Sequence, residues 1–194
     1  MTTTIPPTVE LVEGSRGSAV LSTDGAYRYL LTRSVAPFIA DTTGVESRAV
    51  FVMLNPSKAD ADTDDPTVTK CIGFARRMGA TELAIVNLFA YRATKPADLV
   101  AQHAAGVDIV GPDADLYIEG ALLDHHDPDL LVVAWGGRPP KFPEAALNDR
   151  IAAVLDLLGP DVVALGATNA GAPRHPSRLG YDVERIRWAP PAGA

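Results

Sequence analysis

Four short apolar runs predict buried strands, and each run ends in a polar or glycine-rich segment. The runs are residues 49–54, 84–86, 130–134 and 162–165. A strand of a parallel sheet is covered on both faces, so it reads as a continuous hydrophobic run. Because ligands in open α/β sheets bind just beyond the carboxyl ends of such strands, we expect the segments that follow the four runs to share one pocket.

Helical patterns lie between these runs. Asp65-Pro66 is typical of a helix N-cap with Pro at the first helical position, and Gly79 is expected to end that helix. Further helices are predicted from residue 96, over residues 113–123 and around residues 147–158. Alternating strands and helices predict an α/β fold, a three-layer α/β/α sandwich with a mainly parallel central sheet.

The N-terminal region is predicted to differ from the rest of the chain. Residues 1–17, rich in Thr, Pro and Gly, are expected to form a flexible arm, and residues 18–194 a single α/β domain. Apolar segments on both sides of Asp24-Gly25 predict an antiparallel hairpin that opens the sheet. A chain of 194 residues is long enough to bury a substantial core in one domain.

Composition narrows the possible functions. The net charge of −7 argues against indiscriminate nucleic-acid binding, although it is compatible with a local basic face. The single cysteine, Cys71, excludes an internal disulfide and any Cys-rich zinc or iron–sulfur site. No apolar stretch approaches the roughly 20 residues that span a bilayer, and the first residues lack the features of a secretory signal. We therefore expect no membrane association and a cytoplasmic location.

The acidic loop at residues 60–65 resembles a calcium-binding loop but lacks two of its defining positions. Its sixth position is Asp65 where such a loop has Gly, and its twelfth is Cys71 where it has Glu. We expect this loop to be solvated and to cap the next helix. Residues 124–127 hold adjacent histidines between a helix and a strand, which favours a polar connector over a metal site. No metal and no cofactor are predicted.

Three polar side chains near predicted strand ends have complementary chemistry. Asn87 offers one acceptor and two donors, which suits the amide-like edge of a pyrimidine. His175 can donate a hydrogen bond to an oxygen that becomes negative as a bond breaks. Asn55 is not a strong base, but it can position a water molecule. Together the three side chains suit the departure of a stabilised anionic leaving group.

Three motifs resemble those of the uracil-DNA glycosylase superfamily. The Met-Leu-Asn-Pro-Ser segment at residues 53–57 is similar to the first motif, in which Asn-Pro or Asp-Pro follows a core strand. Val86-Asn87-Leu88 resembles the strand end whose Asn recognises the base, and His175-Pro176-Ser177 resembles the second catalytic motif. Longer strings resemble more specifically a bacterial and phage family of unknown function, DUF1643; they lie within residues 54–60, 87–94 and 166–176.

The resemblance implies a uracil-DNA glycosylase-like fold and a DNA glycosylase activity. Such a protein rotates a nucleotide out of the stack and hydrolyses the N-glycosidic bond of uracil or a modified pyrimidine base. Asn87 would contact the ring amide, Asn55 would orient the attacking water, and His175 would stabilise charge on the departing base. The implied partner is DNA, single-stranded or locally flipped, or a free nucleotide, and the protein is expected to be a monomer.

The resemblance also implies roles for side chains around the three motifs. Further substrate-binding candidates are Pro56, Ser57, Phe89, Trp135 and Ser177, with Tyr91 as another aromatic that could stack on the base. Leu179 would press into the duplex as an apolar wedge. The candidates for phosphate contact are Arg138, Lys141, Arg174 and Arg178.

Two alternatives stay open at the level of the sequence. The protein could be a nucleoside or nucleotide hydrolase that acts on free metabolites, because the acidic loop is a poor neighbour for DNA phosphates. It could also be a base- or nucleic-acid-binding module without turnover. A contiguous Arg and Lys face beside the pocket would favour DNA, whereas an acidic rim around a closed pocket would favour a small molecule.

Overall fold

The computed structural model describes residues 9–36, 47–123, 127 and 130–191. Its strands are β1 (Val9–Gly14), β2 (Gly17–Ser22), β3 (Arg28–Ser34), β4 (Arg48–Met53), β5 (Glu82–Asn87), β6 (Leu131–Val133), β7 (Val163–Ala164) and β8 (Ile186–Arg187). Its helices are α1 (Pro66–Met78), α2 (Pro96–Ala104), α3 (Ala114–Leu122) and α4 (Glu144–Leu158). None of these helices is both long enough and apolar enough to span a bilayer.

The eight strands form one mixed sheet in the order β1-β2-β3-β5-β4-β6-β7-β8. The pairings of β5 with β4, β4 with β6 and β6 with β7 are parallel. The pairings among β1, β2, β3 and β5 at one edge, and of β7 with β8 at the other, are antiparallel. The α/β class is confirmed. The prediction of a mainly parallel sheet was wrong, because three strands precede the parallel centre and a returning strand closes the far edge.

Strand β1 lies where the sequence predicts a flexible arm. It pairs with β2 along its whole length, from Val9 opposite Ser22 to Gly14 opposite Gly17. The arm predicted at residues 1–17 is therefore corrected over residues 9–17, and residues 1–8 lie outside the described residues. The predicted hairpin is confirmed, because β2 and β3 are antiparallel and Gly25 has a φ of 70° in the turn between them.

Helices cover both faces of the sheet, as the continuous apolar runs indicate. Val50 and Val52 of β4 pack in the core that includes residues of α2, α3 and α4. Phe51 and Met53 of the same strand pack on the opposite face, in the core that includes α1. Because successive side chains of a strand point to opposite faces, burial of all four means that the sheet lies between two helical layers.

Helix α1 begins and ends at the predicted residues. The Asp65 carboxylate accepts hydrogen bonds from the backbone N of Thr67 and of Val68, each at 2.9 Å, which is the N-cap arrangement. Gly79 ends the helix with a φ of 84°, in the left-handed region. Cys71 is fully buried on the inner face of this helix, and burial raises the pKa of its thiol. The prediction that Cys71 is a core residue is confirmed.

The acidic loop before α1 is held by the sheet. Arg33 Nε donates to Asp64 Oδ1 at 2.7 Å, and Arg33 Nη2 donates to the carbonyl O of Asp60. The Asp62 carboxylate accepts from Ser15 N at 2.8 Å, in the turn between β1 and β2. These contacts give the loop a structural role. No group of His, Cys, Asp and Glu able to hold a metal occurs among the described residues, and residues 124–126 lie outside them.

Tyr181 packs against α1 and holds the segment after His175 on this helix. Its ring packs edge-to-face against Phe74, with the ring centroids 5.0 Å apart, and the Lys70 ammonium lies 4.1 Å from its centroid. Lys70 Nζ also donates to the carbonyl O of Leu179 at 2.8 Å. The segment therefore has a fixed position relative to the helix whose N-terminus faces the candidate site.

We expect Gly73→Ala in α1 to lower the free energy of unfolding by about 1–3 kcal/mol. An alanine Cβ at residue 73 would lie within 2.5 Å of Tyr181 ring carbons, so the ring must move. Gly120→Ala in α3 is the matched control, because a Cβ there has open space and alanine favours the helix by roughly 0.5–1 kcal/mol. Urea unfolding of both variants is the measurement. Equal changes would contradict the docking role of Tyr181.

Candidate functional site

A cavity of about 520 Å³ opens at the carboxyl ends of β4, β5 and β6. The loops after these strands line it, together with the N-terminus of α1 and the turn at His175. Its polar lining residues are Arg28, Asn55, Ser57, Asp65, Thr67, Asn87, Thr94, Arg138 and His175. Asn55, Asn87 and His175 thus meet at one cavity, although they are far apart in the sequence.

Asn55 follows β4, and the surrounding backbone fixes its carboxamide. Nδ2 donates to the carbonyl O of Pro56 at 2.9 Å and to that of Ala93 at 2.8 Å. Ala93 N in turn donates to Pro56 O at 2.9 Å, so the loops after β4 and β5 are joined. Both hydrogens of Nδ2 are used, while Oδ1 accepts no hydrogen bond from the described residues. Oδ1 is therefore the atom available to bind water or a ligand.

Asn87 is the last residue of β5, and only 3% of its surface is exposed. It lines the cavity, yet its Oδ1 and its Nδ2 are both buried without a hydrogen-bond partner among the described residues. An unsatisfied buried polar group costs roughly 1–3 kcal/mol, so folded proteins rarely contain one without a reason. The carboxamide thus offers one acceptor and two donors that have no partner among the described residues.

The turn Pro176–Arg178 and the ring of His175 hold each other in place. Nδ1 accepts a hydrogen bond from Ser177 N at 3.3 Å and lies 2.9 Å from Ser177 Oγ. Because Nδ1 accepts a backbone N–H, we infer that the neutral ring carries its proton on Nε2. Burial lowers the pKa of His175 below its ordinary value of 6.5, and the negative charge of Asp65 opposes this only in part. At neutral pH the ring is an uncharged donor.

Gly136, which follows β6, makes room for His175. It has a φ of 80°, in the left-handed region that disfavours other residues. A Cβ at this position would lie 3.2 Å from the Cβ of His175. Glycine thus allows both the backbone conformation of this loop and the close approach of the His175 turn.

Arg28, the first residue of β3, lines the cavity although the sequence pattern does not single it out. Only 3% of its surface is exposed. Nη1 donates to the carbonyl O of Ala59 at 2.9 Å, while Nε is buried without a partner among the described residues. Burial lowers the pKa of Arg28 to about 10, against the opposing effect of Asp65, so the guanidinium is protonated at neutral pH. The sequence feature that could indicate Arg28 is the presence of a charged residue within the otherwise largely apolar strand segment 27–31.

Asp65 was predicted only as a helix cap, but it also lines the cavity. Its carboxylate occupies amides of the first turn of α1, which would otherwise attract an anion. Its negative charge raises the pKa of both Arg28 and His175 against the effect of burial. The N-terminal end of α1 therefore contributes a negatively charged carboxylate to the cavity. It does not offer free backbone N–H groups that would bind an anion.

The other substrate-binding candidates divide into two groups. Ser57 and Trp135 line the cavity. Pro56, Phe89 and Ser177 do not: Pro56 accepts hydrogen bonds from Asn55 and Ala93, Phe89 packs against Phe142 in the core, and Ser177 binds His175. Tyr91 also lies outside the lining, edge-to-face against Tyr27. Of the three candidate stacking aromatics, Trp135 is the one at the cavity.

The candidates for DNA contact are mostly outside the cavity. Arg138 lines it and donates to the carbonyl O of Phe142 at 2.8 Å. Lys141, Arg174 and Arg178 are exposed and do not line it. Leu179 is only 5% exposed and belongs to the core that includes α1. In this structure Leu179 is a packing residue and not a surface wedge, because Lys70 and Tyr181 hold its segment against the helix.

A second cavity, of about 1000 Å³, lies beside the first. The two share the segment Trp135 to Arg138, and the second cavity extends between α4 and the C-terminal residues up to Pro191. Trp135 packs edge-to-face against Trp188, with the ring centroids 5.2 Å apart. The Trp135–Arg138 segment is therefore a wall between the two cavities.

Fold and site together define an α/β protein with a mixed sheet and a cavity, lined by polar and apolar residues, at the carboxyl ends of its parallel strands. The chain belongs to the family described as "protein of unknown function (DUF1643)", whose profile matches residues 28–177. The match begins at Arg28 and includes every residue that lines the first cavity. No curated protein and no solved structure matched the chain.

We expect Gly136→Ala to destabilise the protein by about 1–2 kcal/mol, because alanine must adopt a left-handed conformation and its Cβ would press on His175. Gly137→Ala is the matched control, since a Cβ there meets nothing within 4 Å. Urea unfolding gives the stability of both variants, and the NMR signals of the imidazole show whether His175 moves. A shift of these signals in Gly137→Ala alone would contradict the role assigned to Gly136.

We expect the His175 imidazole to titrate with a pKa below 6.5, because burial disfavours its charged form. NMR detection of the ring protons over a pH series measures this value, and His175→Gln identifies the signal. Asp65→Asn, which retains a good N-cap residue, should lower the pKa further by removing the negative charge that favours the imidazolium. A titration midpoint above 6.5 in the wild type would refute this account.

Proposed function

We propose that this protein binds a pyrimidine base, uracil or a modified form of it, and hydrolyses its N-glycosidic bond in the manner of a uracil-DNA glycosylase. The observation that carries the proposal is the buried carboxamide of Asn87 at the cavity wall, which has no hydrogen-bond partner among the described residues. A uracil ring presents an N–H donor next to a carbonyl acceptor. Both halves of the carboxamide therefore gain a partner when such a base enters, which offsets the cost of their burial.

The proposed reaction breaks the bond between C1′ of the sugar and N1 of the base, and the bonding electrons leave with the base. Water adds to C1′ and releases a proton to solvent, and the base anion later takes up a proton. Asn55 Oδ1, which has no partner among the described residues, accepts a hydrogen bond from the attacking water and orients it. The backbone contacts of Nδ2 keep this oxygen in place.

His175 supplies the electrostatic part of the mechanism. Its Nε2–H donates to the base oxygen on which negative charge develops as the bond breaks. A preorganised donor of this kind typically contributes about 10²- to 10³-fold to the rate. Because the pKa of His175 is lowered by burial, the ring stays neutral at physiological pH and stabilises the leaving anion without proton transfer.

Trp135 is the aromatic side chain assigned to the face of the base, since it lines the cavity. The cavity volume of about 520 Å³ is within the roughly 300–1,000 Å³ typical of small-molecule sites. This volume therefore suits a base with its sugar attached better than a base alone. Four cations were candidates for phosphate contact from the sequence. Of these, Arg138 lines the cavity, so it is the one assigned to the phosphate of a bound nucleotide.

The source of the base defines a second candidate function, hydrolysis of a free nucleoside or nucleotide. The observation that favours it is the burial of Leu179 in the core. A buried Leu179 does not press into a DNA duplex as a wedge. The net charge of −7 also weakens attraction to DNA. The exposed positions of Lys141, Arg174 and Arg178 favour DNA instead. A shared base pocket is common to both functions.

Base excision tests the proposal directly. Oligonucleotides that carry uracil or 5-hydroxymethyluracil, single- and double-stranded, are incubated with the protein and assayed for abasic sites, and uridine and UMP are assayed for released base. We expect base release from at least one substrate. His175→Ala and Asn55→Ala should each lower the rate by about 10²-fold or more. If no substrate released its base, the proposed N-glycosidic hydrolase activity would be contradicted.

Two further variants separate catalysis from folding in the same assay. Asn87→Leu should abolish base binding yet raise the free energy of unfolding by about 1 kcal/mol, because it replaces an unsatisfied buried carboxamide with an apolar group of similar size. His103→Ala is the matched histidine control, since His103 packs against Phe142 and does not line the cavity. An Asn87→Leu variant that kept full activity would remove the main support for base recognition.

A further inference from the structure

We propose that Arg28 is a ligand-binding residue that selects a substrate with a negatively charged oxygen group, in addition to the amide edge read by Asn87. This inference rests on the proposed function, because it assigns the anion to the same bound molecule. The group is a carboxylate on the pyrimidine ring or a phosphate on the sugar. These two anions share the chemistry that a guanidinium recognises.

The ion pairing of the buried arginines supports this role. Arg28, Arg33 and Arg150 are the arginines buried among the described residues. Arg33 Nε lies 2.7 Å from Asp64 Oδ1, and Arg150 Nη2 lies 2.6 Å from Asp115 Oδ1. For Arg28, no carboxylate of the described residues lies within ion-pair distance. Buried charges in proteins are normally paired, so Arg28 differs from the other two by having no counterion among the described residues.

The hydrogen bonds of Arg28 lead to the same conclusion. Its guanidinium has five N–H donors, and its side chain makes one hydrogen bond to the described residues, from Nη1 to Ala59 O. Nε is buried, and no described residue supplies an acceptor for it. Arg28 also lines the cavity that holds Asn87. Two almost completely buried polar side chains therefore line one cavity, and each has at least one polar atom without a partner among the described residues. A single ligand can satisfy both.

The charges around the cavity make Arg28 the main attraction for an anion there. Asp65 acts on Arg28 electrostatically but is not ion-paired with it, and its carboxylate is engaged by the first turn of α1. That cap also removes the helix N-terminus as a competing anion site. His175 is neutral at physiological pH because burial lowers its pKa. Arg138, the other cation of the lining, is exposed at the rim.

A guanidinium forms two parallel hydrogen bonds with a carboxylate or a phosphate, which gives orientation as well as affinity. Arg28 lies on β3 and Asn87 at the end of β5, and these two strands are neighbours in the sheet. Arg28 N also donates to the carbonyl O of Ala90, just beyond β5, at 3.0 Å, so backbone hydrogen bonds hold the two residues close to each other. A ligand with both an amide edge and an anion is held at two points.

Calorimetric titration with two matched ligand pairs tests this inference. Uracil against orotate, which is uracil with a ring carboxylate, probes an anion on the base. Pseudouridine against its 5′-monophosphate probes an anion on the sugar, and the carbon–carbon glycosidic bond prevents turnover. For the wild type we expect the anionic member of one pair to bind about tenfold or more tightly than its neutral partner, as expected for hydrogen bonds to a charged group.

The variants identify the residue responsible. Arg28→Met should bring the affinity ratio of that pair close to one, while the affinity for the neutral member changes by less than about threefold. Arg28→Lys, which keeps the charge but loses the paired donors, should give an intermediate ratio and replaces Arg28→Met if that variant does not fold. Arg92→Met is the control, because Arg92 influences Arg28 electrostatically but does not line the cavity. It should retain the wild-type ratio.

The outcomes separate this inference from the proposed function. Equal binding of neutral and anionic ligands by the wild type, with uracil or pseudouridine still bound, would overturn the role of Arg28 and leave base recognition intact. An anion preference that persists in Arg28→Met and in Arg28→Lys would also overturn it. Failure of the neutral and the anionic ligands alike to bind would overturn both proposals.

Discussion

Hydrogen bonds between the chain after β4 and the chain after β5 hold the two asparagines of the site in place. The ladder of these parallel strands continues past their ends, where Leu88 N donates to Met53 O at 2.8 Å and Phe89 N donates to Leu54 O at 3.0 Å. The Asn55 side chain then extends the contact to Ala93. The backbone groups at this junction form hydrogen bonds with each other. The remaining hydrogen-bonding groups of Asn55 and Asn87 are therefore available to a ligand in the cavity. The site is therefore preorganised by the sheet.

Burial gives the cavity its chemical character. Desolvation keeps His175 neutral and lowers the pKa of Arg28 without discharging it, so the cavity combines an uncharged donor with a cation. Asp65 opposes both shifts from the cap of α1. The three groups come from different parts of the chain, and their relative positions depend on Gly136, on the pairing of β3 with β5, and on Tyr181 against α1.

The sequence predicted the parts of the molecule that depend on local pattern. The apolar runs located the ends of β4 and β5, and this led to Asn55 and Asn87; the N-cap and C-cap of α1 followed from Asp65 and Gly79. It did not predict the share of antiparallel pairing, since strand order is set by long-range packing. Likewise, nothing in the local sequence shows that Arg33 has a counterion while Arg28 has none in the part of the chain that the structure describes, because that difference depends on which loops fold over each side chain.

The wall between the two cavities has a consequence for measurement. The chain contains two tryptophans, Trp135 and Trp188, and both are at this wall in edge-to-face contact. Trp135 lines both cavities and Trp188 lines the larger one. All indole absorption and emission of the protein therefore originates within one contact of the candidate site. The molecule contains a built-in optical probe, and a ligand that enters either cavity changes the surroundings of at least one of its two chromophores.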